Sequence, residues 1–346
     1  MRAQALRVAL PIRRGLKRSA EWLAGRWGRH RLGPGQPSLW ILMYHRVLPT
    51  SDPRFAAEEP GMIVTPATFR RHLQELKTLF TLMPLVEWIE RSATGKALPP
   101  RSCSVTFDDG WLDNYEYALP ILEQEQTPAT IFAVSHMIGT HREFWPNRLA
   151  RILLSPDLAP EQRLNHPALK WLPGLDAEKS SAVLSPARIA HIIDSCKRFS
   201  DAEISARLDQ IETALRLQPS QSASLLNWDQ MRAMQKSGLI DFGSHTCNHY
   251  RLVAQLDAAT MAREIAESKQ LLEEQLARPV ALFCYPNGDV SPDADRLVRQ
   301  HYRAAVTTHR GINASGVDEH RLARIGIHED VSATATSFQA RLSGWL

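Results

Sequence analysis

Apolar residues fall along this chain in short continuous runs, separated by stretches where they recur every three or four positions. The first run, Leu39-Trp40-Ile41-Leu42-Met43-Tyr44, follows the turn-forming residues 32–37 and predicts a buried strand that opens the folded domain. Phe69, Leu73, Leu76 and Phe80 share one face of a predicted helix near 68–80. A strand from Cys103 to Phe107 then follows Pro99-Pro100. A helix over about 113–124 leads through Thr127-Pro128 to a strand over 129–134. Strand, helix, strand is the order of a parallel sheet or barrel.

Between about 141 and 223 the pattern changes to scattered prolines with few strand-like runs, and Ile204, Leu208, Ile211 and Leu215 predict a helix over 202–217. This stretch reads as a helical insertion. Strands resume at 239–243, followed by a helix capped by Asp257, with Met261, Ile265, Ser268, Leu272 and Leu276 on one face and Pro279 closing it. A run over 280–286, a helix near 293–301 and strands over 304–307 and 323–328 complete the order, with no internal repeat. The expected organisation is a basic segment and linker over 1–37, an α/β domain over 38–335 and a tail over 336–346.

At 346 residues, 44% apolar and 23% charged, the composition is that of a globular protein with one large domain or two ordinary ones. The net charge of +4 hides an asymmetry: residues 1–35 carry nine basic side chains against Glu21, about +8, which leaves about −4 for the remainder. A mildly acidic body argues against a nucleic-acid partner. Pro11 and the arginine pairs interrupt any secretory apolar core, and no run approaches a membrane span of roughly 18–20 residues. Ile12, Leu16, Ala20, Leu23 and Trp27 nevertheless fall at helical spacing beside Arg13, Arg14, Lys17 and Arg18. That stripe suits either an anionic membrane surface or packing on the domain, and Gly15 and Gly25 weaken the helix by about 1 kcal/mol each. Four widely spaced cysteines without a Cys-x-x-Cys read as reduced thiols. The expected location is cytoplasmic, with residues 1–35 available for contact with the inner face of the cell membrane.

The candidate chemistry sits just past predicted strand ends: Asp108 and Asp109 after Phe107, His245 and His249 after the 239–243 strand, Asn287 after Tyr285, and His328 after Ile327. In parallel barrels and sheets that edge carries the active site. One carboxylate and two neutral imidazoles suit a divalent ion, zinc best, and the second of two adjacent carboxylates is then free to accept a proton from water. Taken singly, Asp-Asp-Gly is more often a turn and His-x-x-x-His more often structural. Cys247 stands between the histidines, but neighbouring turn side chains diverge. His45 and His72 read as structural, with His45 ending the first strand, and Trp111, Trp145 and Trp228 as packing residues.

The chain resembles the polysaccharide deacetylase family, carbohydrate esterases of the chitin-oligosaccharide deacetylase type. Thr106-Phe107-Asp108-Asp109-Gly110 resembles its first motif and His245-Thr246-Cys247-Asn248-His249 its second. Met43-Tyr44-His45, residues 128–132 and Phe283-Cys284-Tyr285-Pro286-Asn287-Gly288 resemble the branch that acts on bacterial exopolysaccharides and related surface glycans. The resemblance implies a distorted (β/α) barrel with fewer than eight strands. It implies Asp108 as general base, Asp109, His245 and His249 as ligands of Zn2+ or another divalent transition metal, and His328 as general acid. Tyr285 and a backbone N–H near Asn287 would meet substrate and oxyanion. Where the family often has an arginine that orients the base, this chain has Cys284, so Arg324 is the expected substitute; Gly326 stands where the family has leucine before the final histidine. The implied activity is removal of N-acetyl groups from an amino-sugar polysaccharide, oligosaccharide or lipid-linked sugar. The alternatives are hydrolysis of another non-peptide amide and a non-catalytic glycan-binding module.

Overall fold

The computed structural model describes residues 19–32, 35–175, 184–218 and 224–345. Its strands are β1 (Ser38–Tyr44), β2 (Arg46–Val47), β3 (Ile63–Val64), β4 (Thr81–Leu82), β5 (Arg101–Phe107), β6 (Ala129–Ala133), β7 (Ile240–Ser244), β8 (Leu282–Cys284), β9 (Ala304–Arg310), β10 (Asn313–Ala314) and β11 (Leu322–Gly326). Seven of them close a parallel ring in the order β1, β5, β6, β7, β8, β9, β11 and back to β1. β4 extends the sheet beyond β5 and β10 pairs antiparallel with β1, while β2 and β3 form a separate pair. This is the distorted barrel of fewer than eight strands.

Alternation along the strands sorts side chains between two cores. Trp40, Leu42 and Tyr44, with Cys103, Val105 and Phe107, point outward and pack with helix residues such as Phe69, Leu73, Met261 and Ile265. Leu39, Ile41, Phe132, Leu282, Cys284, Val306 and Leu322 fill the interior. Burying each large apolar side chain contributes about 1.5–3 kcal/mol. Gly243 is required where β7 passes the interior Phe132: a Cβ there would lie 2.5 Å from its ring.

The helix at Pro66–Leu79 begins two residues before the expected start because Thr65 accepts from the Thr68 N–H and Pro66 occupies the first turn. Asp257 likewise caps Ala258–Leu276, but that helix stops at the left-handed Ala277, two residues before Pro279. The helix expected over 113–124 is split. Pro120 has no N–H to give the preceding turn, and Asn114–Ala118 widens into a π-turn before Leu119–Gln124. The strand expected over 280–286 is only β8, since Pro286 and the positive φ of Asn287 turn the chain. β9 runs on to Arg310 through exposed polar residues that carry no hydrophobic signal.

The insertion forms helices Trp145–Leu154, Pro160–Asn165, Pro186–Cys196 and Asp201–Leu215 around its own core of Leu149, Ile152, Ile192, Ile204, Leu208 and Ile211. Its link to the barrel is specific. Buried Asp201 accepts from the Arg251 N–H at 2.8 Å and from Trp145 Nε1 at 3.1 Å, and Arg251 also donates to Lys197 O and Phe199 O. Residues expected as a tail instead form a helix, Ala335–Leu342, whose Phe338 stacks on His72 at 3.9 Å. Residues 19–27 are helical. Of the expected amphipathic stripe, Ile12 and Leu16 lie outside the described residues, and Ala20, Leu23 and Trp27 face solvent rather than the domain.

Candidate metal centre and active site

Strand register assembles one rim. Met43 pairs with Gly326 of β11 on one side and with Thr106 of β5 on the other. Two residues further along each strand, with the same interior parity, come His328, His45 and Asp108. β7 delivers His245, whose N–H bonds to Ala133 O at 2.9 Å. The backbone here leaves ordinary conformations: Asp109 (φ 75), Thr246 (φ 67), His249 (φ 61) and Asn287 (φ 57) are four of the seven positive-φ non-glycine residues among those described. Such strain costs on the order of 1–3 kcal/mol each and clusters at functional sites. Glu264 holds the turn between the histidines, accepting from Asn248 N at 2.8 Å and Nδ2 at 2.7 Å.

Asp109, His245 and His249 bring one ligand atom each to a common point. Asp109 Oδ1 lies 3.6 Å from His245 Nε2 and 3.5 Å from His249 Nε2. These separations are too long for hydrogen bonds. They match the roughly 3.4 Å between ligands placed about 2.1 Å from a tetrahedral centre. His245 Nδ1 donates to Cys284 O at 2.8 Å, which leaves Nε2 as the free lone pair. Burial, with His249 beside it, lowers the His245 pKa to about 3, so the ring is neutral at ordinary pH, as a ligand must be. Burial lowers His249 in the same direction and raises Asp109 to about 6. The three residues therefore fit a divalent transition metal.

Asp108 lies beside this centre and is held differently. Arg324, fully buried inside the barrel, donates Nη1 to Asp108 Oδ1 and Nη2 to Oδ2, both at 2.7 Å. Burial alone would raise the Asp108 carboxyl, but the guanidinium overrides it and holds the carboxyl well below the usual carboxylate range. Arg324 is itself fixed by donation to Thr307 O and Thr106 Oγ1, and its Nη2 lies 3.1 Å from Cys284 Sγ. The arginine that meets Asp108 thus comes from β11, with the small Cys284 side chain filling the place on β8. His45 Nε2 stands 3.9 Å from Asp108 Oδ2. His328, half-buried, continues the row one strand further, its Nδ1 3.9 Å from Asp330 Oδ2.

The other expectations resolve one by one. The Tyr285 side chain, expected at the substrate, has the outward parity of β8: it is fully buried against Phe283 and leaves only its backbone near the rim. Asn287 is exposed in a turn, with its carbonyl accepting from Thr308 Oγ1 at 3.2 Å. Cys247 turns away from the ligands, its Sγ–H towards Arg263 O and its pKa pushed up by burial to about 12. Trp111, expected as packing, donates Nε1 to Asp109 Oδ2 at 2.8 Å and so orients the carboxylate. Trp111 also carries Arg46 over its ring at 4.2 Å and meets Phe144, whose ring lies 5.1 Å from His249. The signal for Trp111 was its place two residues after Asp109; His45 was signalled by its place at the end of β1.

A cleft of about 510 Å3 opens beside these aromatics, between barrel and insertion, lined by Arg46, Glu58, Trp111, Arg142, Phe144 and Asn147 among others. That volume is in the range of small-molecule sites.

The fold is shared with solved structures of low sequence identity. A Streptococcus pyogenes deacetylase, PplD, solved in complex with acetate, is 20% identical, with 90% of this chain and 100% of that chain covered at a TM-score of 0.58. IcaB from Ammonifex degensii is 20% identical over 89% of this chain and 98% of its own, also at 0.58. A de-N-acetylase from Aggregatibacter actinomycetemcomitans is 16% identical over 88% and 99%, at 0.55. No curated protein matches the sequence. The polysaccharide deacetylase family model matches residues 95–306, more than half of the chain, and with the barrel and the rim in place this protein belongs to the polysaccharide deacetylase family.

Proposed function

We propose that the protein is a metal-dependent hydrolase that removes N-acetyl groups from an amino-sugar glycan. The observation that carries this reading is the juxtaposition of two differently tuned carboxylates: Asp109 at ligand spacing from His245 and His249, and Asp108 clamped by Arg324 beside them. Asp109, His245 and His249 would hold a divalent cation, which would supply the electrophilic polarisation and water acidification that amide hydrolysis needs. Asp108, kept ionised by Arg324, has carboxylate lone pairs left over from the two guanidinium bonds, and these accept the proton of the attacking water. His328 delivers a proton to the departing sugar amine, and His45, next to Asp108, lies within reach of the same rim. By the family resemblance, a backbone N–H at the Asn287 turn would serve the developing oxyanion.

The cleft supports a sugar rather than a compact amide. Its Trp111 and Phe144 offer apolar faces, while Arg142 and Asn147, on the wall built by the insertion, offer polar groups for hydroxyls. The test is acetate release from a panel of N-acetylated oligosaccharides, nucleotide sugars, lipid-linked sugars and simple acetanilides. The reading expects turnover on at least one amino-sugar glycan and far less on the simple amides. Turnover confined to non-sugar amides, or none after metal loading, contradicts it.

A further inference from the structure

We propose that this protein docks on an anionic phospholipid surface through the outward face of its amino-terminal helix together with Trp345. The helix over 19–27 is fixed on the fold by its smallest residues. Ala24, Gly25 and Gly28 are buried. A Cβ on Gly28 would lie 2.4 Å from the Ser343 Cβ, and one on Gly25 would lie 3.3 Å from the Gln339 Cβ. The Arg29 N–H bonds to Ser343 O at 2.9 Å, His30 Nε2 to Gly25 O at 3.1 Å, and Arg31 Nε to the same carbonyl at 2.8 Å. With glycine and alanine facing inward, the large side chains must face out. Trp22 is 56% exposed, Leu23 48% and Trp27 58%.

The carboxyl end adds to the same face. Ser343 and Gly344 touch Gly28 and Arg29, which brings Trp345, 54% exposed, to the end of this helix. Single exposed apolar residues are ordinary, but four of the six large apolar side chains exposed among the described residues are Trp22, Leu23, Trp27 and Trp345; Leu32 follows the helix and Leu154 lies elsewhere. Exposed Arg26 and Arg29 lie among the tryptophans. Residues 1–35 carry nine basic side chains to one acidic, while the remainder of the chain is net acidic. Tryptophan favours the headgroup level of a bilayer, and clustered arginine favours its anionic lipids. A nucleic-acid duplex would meet the charge but leave the indoles uncovered, and a second copy would bring the same positive charge against itself.

The test is flotation of the full chain with vesicles of phosphatidylcholine alone and with about 30 mol % phosphatidylglycerol. The expected result is capture by the anionic vesicles only, release at about 1 M salt, and a loss of about tenfold or more in Trp22→Ala/Trp27→Ala/Trp345→Ala and in Arg26→Glu. None of these residues is at the metal centre, so an unchanged melting midpoint and acetate release report an intact fold. Equal capture of wild type and the triple variant overturns the proposal. So does a dimer seen by light scattering that the triple variant abolishes while vesicle capture is absent, since a second copy then covers the patch.

Discussion

Removing the guanidinium from the barrel interior should destabilise this protein more than almost any other single change. Arg324 and Asp108 have side chains 0% and 3% exposed and meet through two 2.7 Å hydrogen bonds. At a charge separation of about 4 Å and an effective dielectric near 20, the attraction is about 4 kcal/mol. Loss of one partner of a buried pair typically costs about 3–5 kcal/mol, because the other charge is left without compensation. Over 346 residues, at roughly 2.1 cal/mol/K of unfolding entropy per residue, that corresponds to a melting midpoint about 4–7 °C lower for Arg324→Met. The assay is thermal unfolding of the metal-free protein, followed by tryptophan fluorescence. The sign with pH follows from the shift. In the wild type the Asp108 pKa is depressed by folding, so the pair's contribution is full above about pH 4 and is lost only as pH falls through the lower folded value. In the variant, burial without the guanidinium raises that carboxyl, so the deficit is greatest at neutral pH and narrows as pH falls. Adding Asp108→Asn should restore much of the midpoint by removing the stranded charge. A loss below about 1 °C, or no recovery in the double variant, refutes the account of this pair.

Asp109→Asn and His249→Ala should each abolish stoichiometric zinc uptake, read by elemental analysis after dialysis, with acetate release falling alongside. Trp111→Phe keeps the ring and removes the Nε1 bond to Asp109 Oδ2, so zinc affinity should fall about 10–100-fold in a competitive chelator titration while the fold is retained. His328→Ala should lower kcat on an amide by about 100-fold but spare an activated ester whose leaving group needs no proton, and an equal loss on both substrates removes the acid assignment. Asp201→Asn loosens the insertion from the loop after His249, and proteolysis should then cut first in the insertion rather than in the barrel.

The strands and the candidate metal ligands were legible because their signals are local. A run of apolar residues declares a strand, and Asp108-Asp109 or His245 directly follows the strand that positions it. What pairs across the barrel was harder to read. Arg324 and Asp108 are 216 positions apart, and only ring closure through β1 shows that they share an interior. Tyr285 was misassigned because strand parity decides which side a chain end presents, and the end of β8 could not be fixed from an apolar run that includes proline. For the amino-terminal helix the sequence left two readings open, a membrane surface or packing on the domain. Counting large apolar residues picked out the stripe through Leu23 and Trp27, whereas close helix packing was achieved by the glycines. Trp111 was read by its bulk, yet its N–H positions the metal-facing carboxylate.

The central claim is that Asp108 handles the proton and Asp109 the metal, and the metal-loaded Asp108→Asn variant tests it most directly. Zinc content and acetate release from an N-acetylated amino-sugar oligomer should be measured on the same preparation. The account predicts zinc bound as in the wild type, with acetate release at least about 100-fold slower. Acetate release at the wild-type rate by the zinc-loaded variant, or loss of zinc from it, contradicts the division of labour.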